Sequence, residues 1–274
     1  MMAKDVFLDP VAVQDLYRSA DRLSRRTDAL HQAKITGSDV AAAIPTLLRQ
    51  AGAPHGTALD IGCGRGTTTL RLATAATFVR LVAIDVSPAL LATTRRRLQA
   101  TALGASTTTV CADFHCLPIR SQTISAVVAA FCLYHSPRPA TAVAEIARVL
   151  APGGIAVLVT KSLDSYAELD DLVARAELDP QATRRPSLYE TFHSASIAAI
   201  TATGLSVLDV LHERHVFRFA GHAHAAVYLA TSPKYQMGAA NGDPDAIATA
   251  LRSRLPDRPI ETASTVSYAI ARCP

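Results

Sequence analysis

The stretch ALDIGCGRGTTTL, residues 58–70, constrains this chain more than any other. Ala58, Leu59 and Ile61 read as a short buried strand that carries one carboxylate, Asp60. Gly62, Gly64 and Gly66 then alternate through a sharp turn, and a helical pattern begins at once. Glycine at every second position means a backbone forced into conformations that side chains disfavour, or one that passes close to another molecule. The order strand, glycine turn, helix predicts the first unit of a parallel α/β sheet with a ligand over the turn.

The rest of the chain repeats that alternation. VRLVAI (79–84) precedes SPALLATTRRRLQATA, TTTVCA (107–112) precedes a loop, TISAVVAAFC (123–132) precedes PATAVAEIARVL, and GGIAVLVT (153–160) closes the series. Runs that are apolar on both faces, separated by helices, predict a parallel sheet covered on each side. Ser87 with Pro88 behind it is a helix start, and Val143, Ile146, Ala147 and Leu150 form one helical stripe. A helix at 195–202, a strand at 206–218, helices near 221–230 and 245–254, and a strand at 263–271 follow.

Before the glycine turn, Val13, Leu16, Tyr17, Ala20, Leu23, Thr27 and Leu30 recur every three or four residues, predicting one amphipathic helix from Pro10 to about His31. A second helix covers about 40–50, where Pro45 should bend it or mark its start. Residues 1–38 read as a helical cap. Residues 39–274 read as the main domain, with an insertion at about 161–195 where the pattern lapses.

Successive strand ends carry polar groups. Asp85 closes the second strand, nineteen residues beyond Gly66, where a carboxylate can accept from two vicinal ribose hydroxyls or cap the next helix. Asp113 closes the third, where it can accept an exocyclic amino proton while Phe114 or Val86 covers a base. The glycine spacing is GxGxG, whereas a nicotinamide dinucleotide fold uses GxGxxG. A nicotinamide-dependent oxidoreductase is therefore the runner-up.

ALDIGCGRG, VAIDVSPALL, CADFHCLP and ISAVVAAFCLYHSPRPATAVAEIARVLAPGG together resemble the class I S-adenosylmethionine-dependent methyltransferases, and in particular bacterial small-molecule, natural-product members. The resemblance covers about residues 40–160 and extends weakly to the last strand. It implies a doubly wound, mostly parallel seven-stranded sheet with the last strand antiparallel. It implies S-adenosyl-L-methionine as cofactor, with Gly62, Gly64 and Gly66 cradling it and Asp60 orienting its ammonium. Asp85 would then bind the ribose diol, Asp113, Val86 and Phe114 the adenine, and the backbone near Phe131 the methionine portion.

The same resemblance points the 132–139 loop, CLYHSPRP, toward the methyl group. His135 has the unperturbed pKa of a general base, and positioning of the acceptor and plain structural bonding are its other readings. Tyr134 reads as pocket wall or packing. The insertion brings Tyr189, Glu190 and His193 as acceptor-side candidates, and Tyr17 is placed to close the pocket or to pack in the core. His212, His215, His222 and His224 suggest a metal cluster only superficially, since their spacing does not converge, so no metal is expected.

Net charge is +4, but only four of the 27 basic residues are lysines and carboxylates are interspersed. Arg95, Arg96 and Arg97 read as a solvated helix face, so no nucleic-acid partner is expected. No apolar run reaches the roughly 18 residues of a membrane span, and MMAKDVFLDP lacks the pattern of a leader. With five cysteines and no CxxC pair, the expectation is a cytoplasmic enzyme without a membrane partner. Its oligomeric state stays open, a homo-oligomer included. The arginine and alanine content suggests a GC-rich bacterial genome and specialised metabolism such as antibiotic biosynthesis. A cofactor-binding scaffold without catalysis is the alternative outside enzymes.

Overall fold

The computed structural model describes residues 7–101 and 106–274. Residues 1–6, in the segment read for a leader pattern, and Ala102, the last residue of the helix expected after VRLVAI, lie outside the described residues. The described elements run α1 (Pro10–Leu16), α2 (Ala20–Ala33), β1 (Lys34–Thr36), α3 (Val40–Gln50), β2 (Thr57–Ile61), α4 (Thr67–Ala75), β3 (Arg80–Asp85), α5 (Pro88–Gln99), β4 (Thr107–Cys111) and β5 (Ile124–Ala130). They continue with α6 (Pro139–Val149), β6 (Leu150–Lys161), α7 (Ala167–Arg175), α8 (Ile197–Thr201), β7 (Ser206–Phe219), α9 (His222–Leu229), α10 (Pro244–Arg254) and β8 (Ile260–Arg272).

The chain forms two compact units. The larger holds Ser38–Lys161, Thr191–His212 and Val266–Pro274; the smaller holds the chain up to Gly37, Ser162–Glu190 and Glu213–Thr265. In the larger unit the strand order is β7-β8-β6-β5-β2-β3-β4. β2 lies parallel to β3 and β5, β3 to β4 and β5 to β6, while β8 runs antiparallel to β6. These are the seven strands and the reversed last strand that the resemblance implies. Ala58, Leu81, Ala126, Val128 and Val157 pack with Ile44, Leu48 and Leu72 of α3 and α4, and Ala83 packs with Leu91 of α5. The alternate residues Leu59, Val127 and Leu158 are equally buried, and α6 and α8 both lie against β6. Burial of both parities is why these strands read as unbroken apolar runs.

In the smaller unit an eighth strand, β1, pairs antiparallel with β7, Lys34 opposite Phe217. Three residues, Lys-Ile-Thr, are too few to show alternation. Ala29 and Ala33 of α2 join Leu169 and Val173 of α7, Ala225, Tyr228 and Leu229 of α9, and Ile247 and Leu251 of α10 in one core.

Two helix expectations are corrected. The single N-terminal helix is two, because Ser19 is extended and its hydroxyl accepts the Asp21 N–H, starting α2 afresh. Of the two roles expected of Pro45, a bend or the start of the helix, the start falls instead to Asp39. Asp39 caps the helix upstream by accepting from the Ala41 and Ala42 N–H groups, and Pro45 is carried inside it, buried beside Ile44 and Leu48. Burial of that face offsets the one hydrogen bond that proline removes.

Candidate functional site

Strand register sets the site. Asp60 pairs with Ala83 across β2 and β3, and Asp85 with Cys111 across β3 and β4. Each polar group therefore stands about two residues further along its strand than the one before, and Asp60, Asp85 and Asp113 step across the carboxyl ends of three adjacent strands. Such ends, where helices take over from strands, are where open parallel sheets bind ligands.

The turn itself is held from three sides. Gly62, Gly64 and Gly66 have φ of 61°, 54° and 75°, the left-handed region that glycine enters without strain. A side chain at Gly62 would collide with Cys132, whose thiol bonds the Ile61 carbonyl. One at Gly66 would press into Thr94 of α5, within 2.7 Å, and the Thr94 hydroxyl donates to the Gly64 carbonyl at 2.8 Å. Arg97 adds a clamp by donating to the Arg65 carbonyl at 2.6 Å. The solvated face expected of Arg95–Arg97 is corrected at this residue: α5 directs Arg97 onto the turn, and burial with the nearby Arg65 charge lowers its pKa.

Asp85 organises the centre. Its Oδ2 accepts the Gly64 N–H and its Oδ1 the Ser87 N–H, both at 2.8 Å, and burial raises its pKa. One carboxylate thus ties the turn to the start of α5 and keeps further lone pairs for hydroxyls. Val86 beside it is 58% exposed, an apolar face at a strand end that a flat base would cover. Asp60 is buried, accepts the Thr69 hydroxyl at 2.6 Å, and has a pKa raised to about 7 by burial. It anchors the first turn of α4.

Asp113 projects outward, its side chain 60% exposed. Its Oδ1 accepts both the backbone N–H and the ring Nδ1 of His115, at 2.8 and 2.7 Å. Phe114 is half-buried against the His115 ring, 4.5 Å between centroids. Phe131, just past β5, is left-handed at φ 57° although it is not glycine, a conformation that costs about 1–3 kcal/mol and marks a constrained position. Its N–H donates to the Val159 carbonyl, and the Lys161 ammonium stands 5.2 Å from its ring centre.

Tyr134 and His135 form a short 3-10 turn, Leu133–His135, with their rings 4.6 Å apart. Tyr134 is buried, and its carbonyl accepts the Thr191 hydroxyl. His193 heads α8, its carbonyl accepting the Ser196 and Ile197 N–H groups. These three belong to the larger unit. Tyr17, Tyr189 and Glu190 belong to the smaller one. Tyr17 ends α1, half-buried. Tyr189 is buried and lines a cavity of about 20 Å³ with Arg26, Tyr166, Asp170, Tyr228 and Tyr235. Glu190 is exposed at a cleft bordered by Arg184 and Arg185.

The four histidines of the C-terminal region engage different neighbours. His212 bonds Ser267, His215 bonds Glu213, and His224 donates to the Ala29 carbonyl. His222 is buried with its Nδ1 3.9 Å from Asp257. Among the described residues no three histidine, cysteine or acidic side chains gather as a metal site would need. Nor is any described helix long and apolar enough to cross a membrane.

This sheet order, with a glycine turn after β2 and carboxylates at the ends of β3 and β4, is that of the class I methyltransferase fold, whose usual cofactor is S-adenosylmethionine. The residues present fit that cofactor: Asp85 has lone pairs to spare, Val86 offers a bare apolar face, and Asp113 an exposed carboxylate. Residues 59–158 match the family described as methyltransferase domain. Malonyl-[acyl-carrier protein] O-methyltransferase of Alcanivorax borkumensis is 33% identical over 146 residues, 53% of this chain and 48% of that relative. The chain thus spans about half the length of the curated relative it matches. Among solved structures, the [4+2]-cyclase SpnF superposes with a TM-score of 0.61 at 16% identity, covering 96% of this chain and 95% of the other. Geranyl diphosphate C-methyltransferase from Streptomyces coelicolor gives 0.52 at 14% identity, covering 85% and 79%. At those identities the likeness is one of fold.

Proposed function

We propose that this protein transfers the methyl group of S-adenosylmethionine to an oxygen or nitrogen atom of a small-molecule acceptor, with carbon third in order. The observation that carries this reading is Asp85, held by the Gly64 and Ser87 N–H groups at the mouth of the left-handed glycine turn. The cofactor supplies an already activated sulfonium methyl, so the protein has to bind, align and exclude water. Asp85 takes the ribose hydroxyls, Asp113 the adenine amino group, and Val86 and Phe114 the faces of the base. The backbone at Phe131 holds the methionine portion, and Asp60 acts on it through α4.

On the acceptor side His135 removes a proton where the nucleophile carries one, and Tyr134 and His193 shape recognition. The relative from Alcanivorax is named for O-methylation of a malonyl group. A carboxylate acceptor of that kind is already deprotonated at neutral pH and would make little use of His135, whereas a phenol would depend on it. The reading places the enzyme in the cytoplasm, without a nucleic-acid partner, and leaves a homo-oligomer open.

Incubation with methyl-deuterated S-adenosylmethionine and a small-molecule extract, followed by mass spectrometry, tests the proposal. A product carrying the intact labelled methyl supports it, and fragmentation locates the accepting atom. Tight adenosylhomocysteine binding without transfer to any of a broad set of acceptors would favour the scaffold reading. Absence of both would overturn the assignment.

A further inference from the structure

Two residues that lie 21 positions apart in the chain meet at the edge of the site. His115 Nε2 stands 2.7 Å from the hydroxyl of Ser136, which is fully buried, and its Nδ1 stands 2.7 Å from Asp113 Oδ1. The Ser136 oxygen also accepts the Arg138 N–H at 3.0 Å. An ionised Asp113 can only accept, so in the neutral ring the hydrogen facing it is on Nδ1, and Nε2 accepts from the Ser136 hydroxyl. The direction of the chain is therefore Ser136 to His115 to Asp113.

The sequence of groups is that of a nucleophilic triad, but the geometry forbids the chemistry. Ser136 has no exposed surface and its oxygen is occupied by a backbone donor, so no acyl group can reach it. What the arrangement can do is orient. Asp113, with most of its side chain in solvent, would otherwise sample several rotamers and lose entropy on binding. His115 grips one carboxylate oxygen twice, by its backbone N–H and its ring, and leaves the other turned outward. The same ring leans on Phe114 at 4.5 Å and 45°, so one imidazole braces both groups assigned to the base.

We infer that His115 is a positioning residue for adenine recognition, fixing Asp113 and Phe114 and tying them through Ser136 to the turn that carries Tyr134 and His135. This inference rests on the proposed function, in which Asp113 accepts the adenine amino proton. It makes His115 and Ser136 determinants of how well the site distinguishes an amino-bearing base from an oxo-bearing one.

Affinities for S-adenosylhomocysteine and S-inosylhomocysteine, where a carbonyl replaces the amino group, should be measured for the wild type and for His115→Ala, His115→Asn and Ser136→Ala. The wild type should prefer the adenosyl ligand by at least about tenfold, because the carboxylate would face an acceptor in the other. His115→Ala should lose most of that preference with its melting temperature little changed. His115→Asn, whose amide can still donate to Asp113, should keep much of it, and Ser136→Ala should fall between.

An unchanged preference in His115→Ala would overturn the positioning role while leaving methyl transfer intact. A wild type that binds both ligands equally would overturn the Asp113 contact and this inference with it. Failure to bind adenosylhomocysteine at all would instead overturn the proposed function. If His115→Ala does not fold, Ser136→Ala decides, since a wild-type preference there would break the link.

Discussion

Replacing Asp60 by asparagine should remove a dependence of stability on pH. The Asp60 carboxyl is 1% exposed, and burial raises its pKa to about 7, with the Thr69 hydroxyl opposing the rise and the charge of Asp85 adding to it. In the unfolded chain the same group titrates near about 3.9. Between those values the folded protein holds a proton that the unfolded chain has released. The stability that protonated Asp60 confers is therefore complete below about pH 4 and is lost as pH rises through about 7. Three pH steps of about 1.4 kcal/mol each set an upper figure of about 4 kcal/mol.

The amide introduced by Asp60→Asn is neutral throughout and its oxygen can still accept from Thr69, so the variant lacks this loss. Urea unfolding of both proteins at about pH 5 and about pH 8 isolates the effect, because every other titrating group is common to the two. The variant's advantage should grow by about 2–3 kcal/mol between those values. A difference that stays constant would mean that Asp60 is ionised over the whole range, and the account of its burial would be wrong.

Three further outcomes follow from the site. Asp85→Ala should weaken adenosylhomocysteine binding more than about tenfold, or about 1.4 kcal/mol, in calorimetry, since it strips the acceptor from two N–H groups as well as from the ribose. Gly62→Ala should destabilise the domain by about 2–3 kcal/mol in thermal unfolding and abolish cofactor binding, because the added methyl meets Cys132 and the φ of 61° is left-handed. His135→Ala should lower kcat with an acceptor that must lose a proton, while adenosylhomocysteine affinity is kept. Equal losses of rate and affinity would make His135 structural.

The parts of this fold that could be read from sequence are those written in local patterns. The glycine turn, Asp85 and Asp113 announce themselves because a strand end, a turn and a helix start lie within a few residues, and the structure sets these three at adjacent strand ends. The break after Tyr17 was hidden because the apolar spacing runs on through Tyr17 and Ala20, while Ser19, off that stripe, starts α2 afresh with its hydroxyl. Pro45 misled only as a helix start, since the cap at Asp39 lies six residues upstream of it. His115 could have been noticed two residues after Asp113, an Asx-turn spacing. Its link to Ser136 could not, because it joins the segment after β4 to the turn after β5, and β2 and β3 stand between those two strands in the sheet. Arg97 looked like its neighbours until α5 gave it a direction.

The place of β8 has a consequence for the timing of synthesis. Val266–Arg272 supplies the strand between β7 and β6, yet it leaves the ribosome 105 residues after Lys161, the end of its partner β6. At about 5–20 residues per second, β6 spends roughly 5–20 s with one edge unpaired. That edge is Ile155–Val159, five apolar residues in a row, the kind of segment that recruits strands from other chains. Fast expression should therefore enrich aggregates held together at β6, in a protein whose finished sheet leaves that strand no open side.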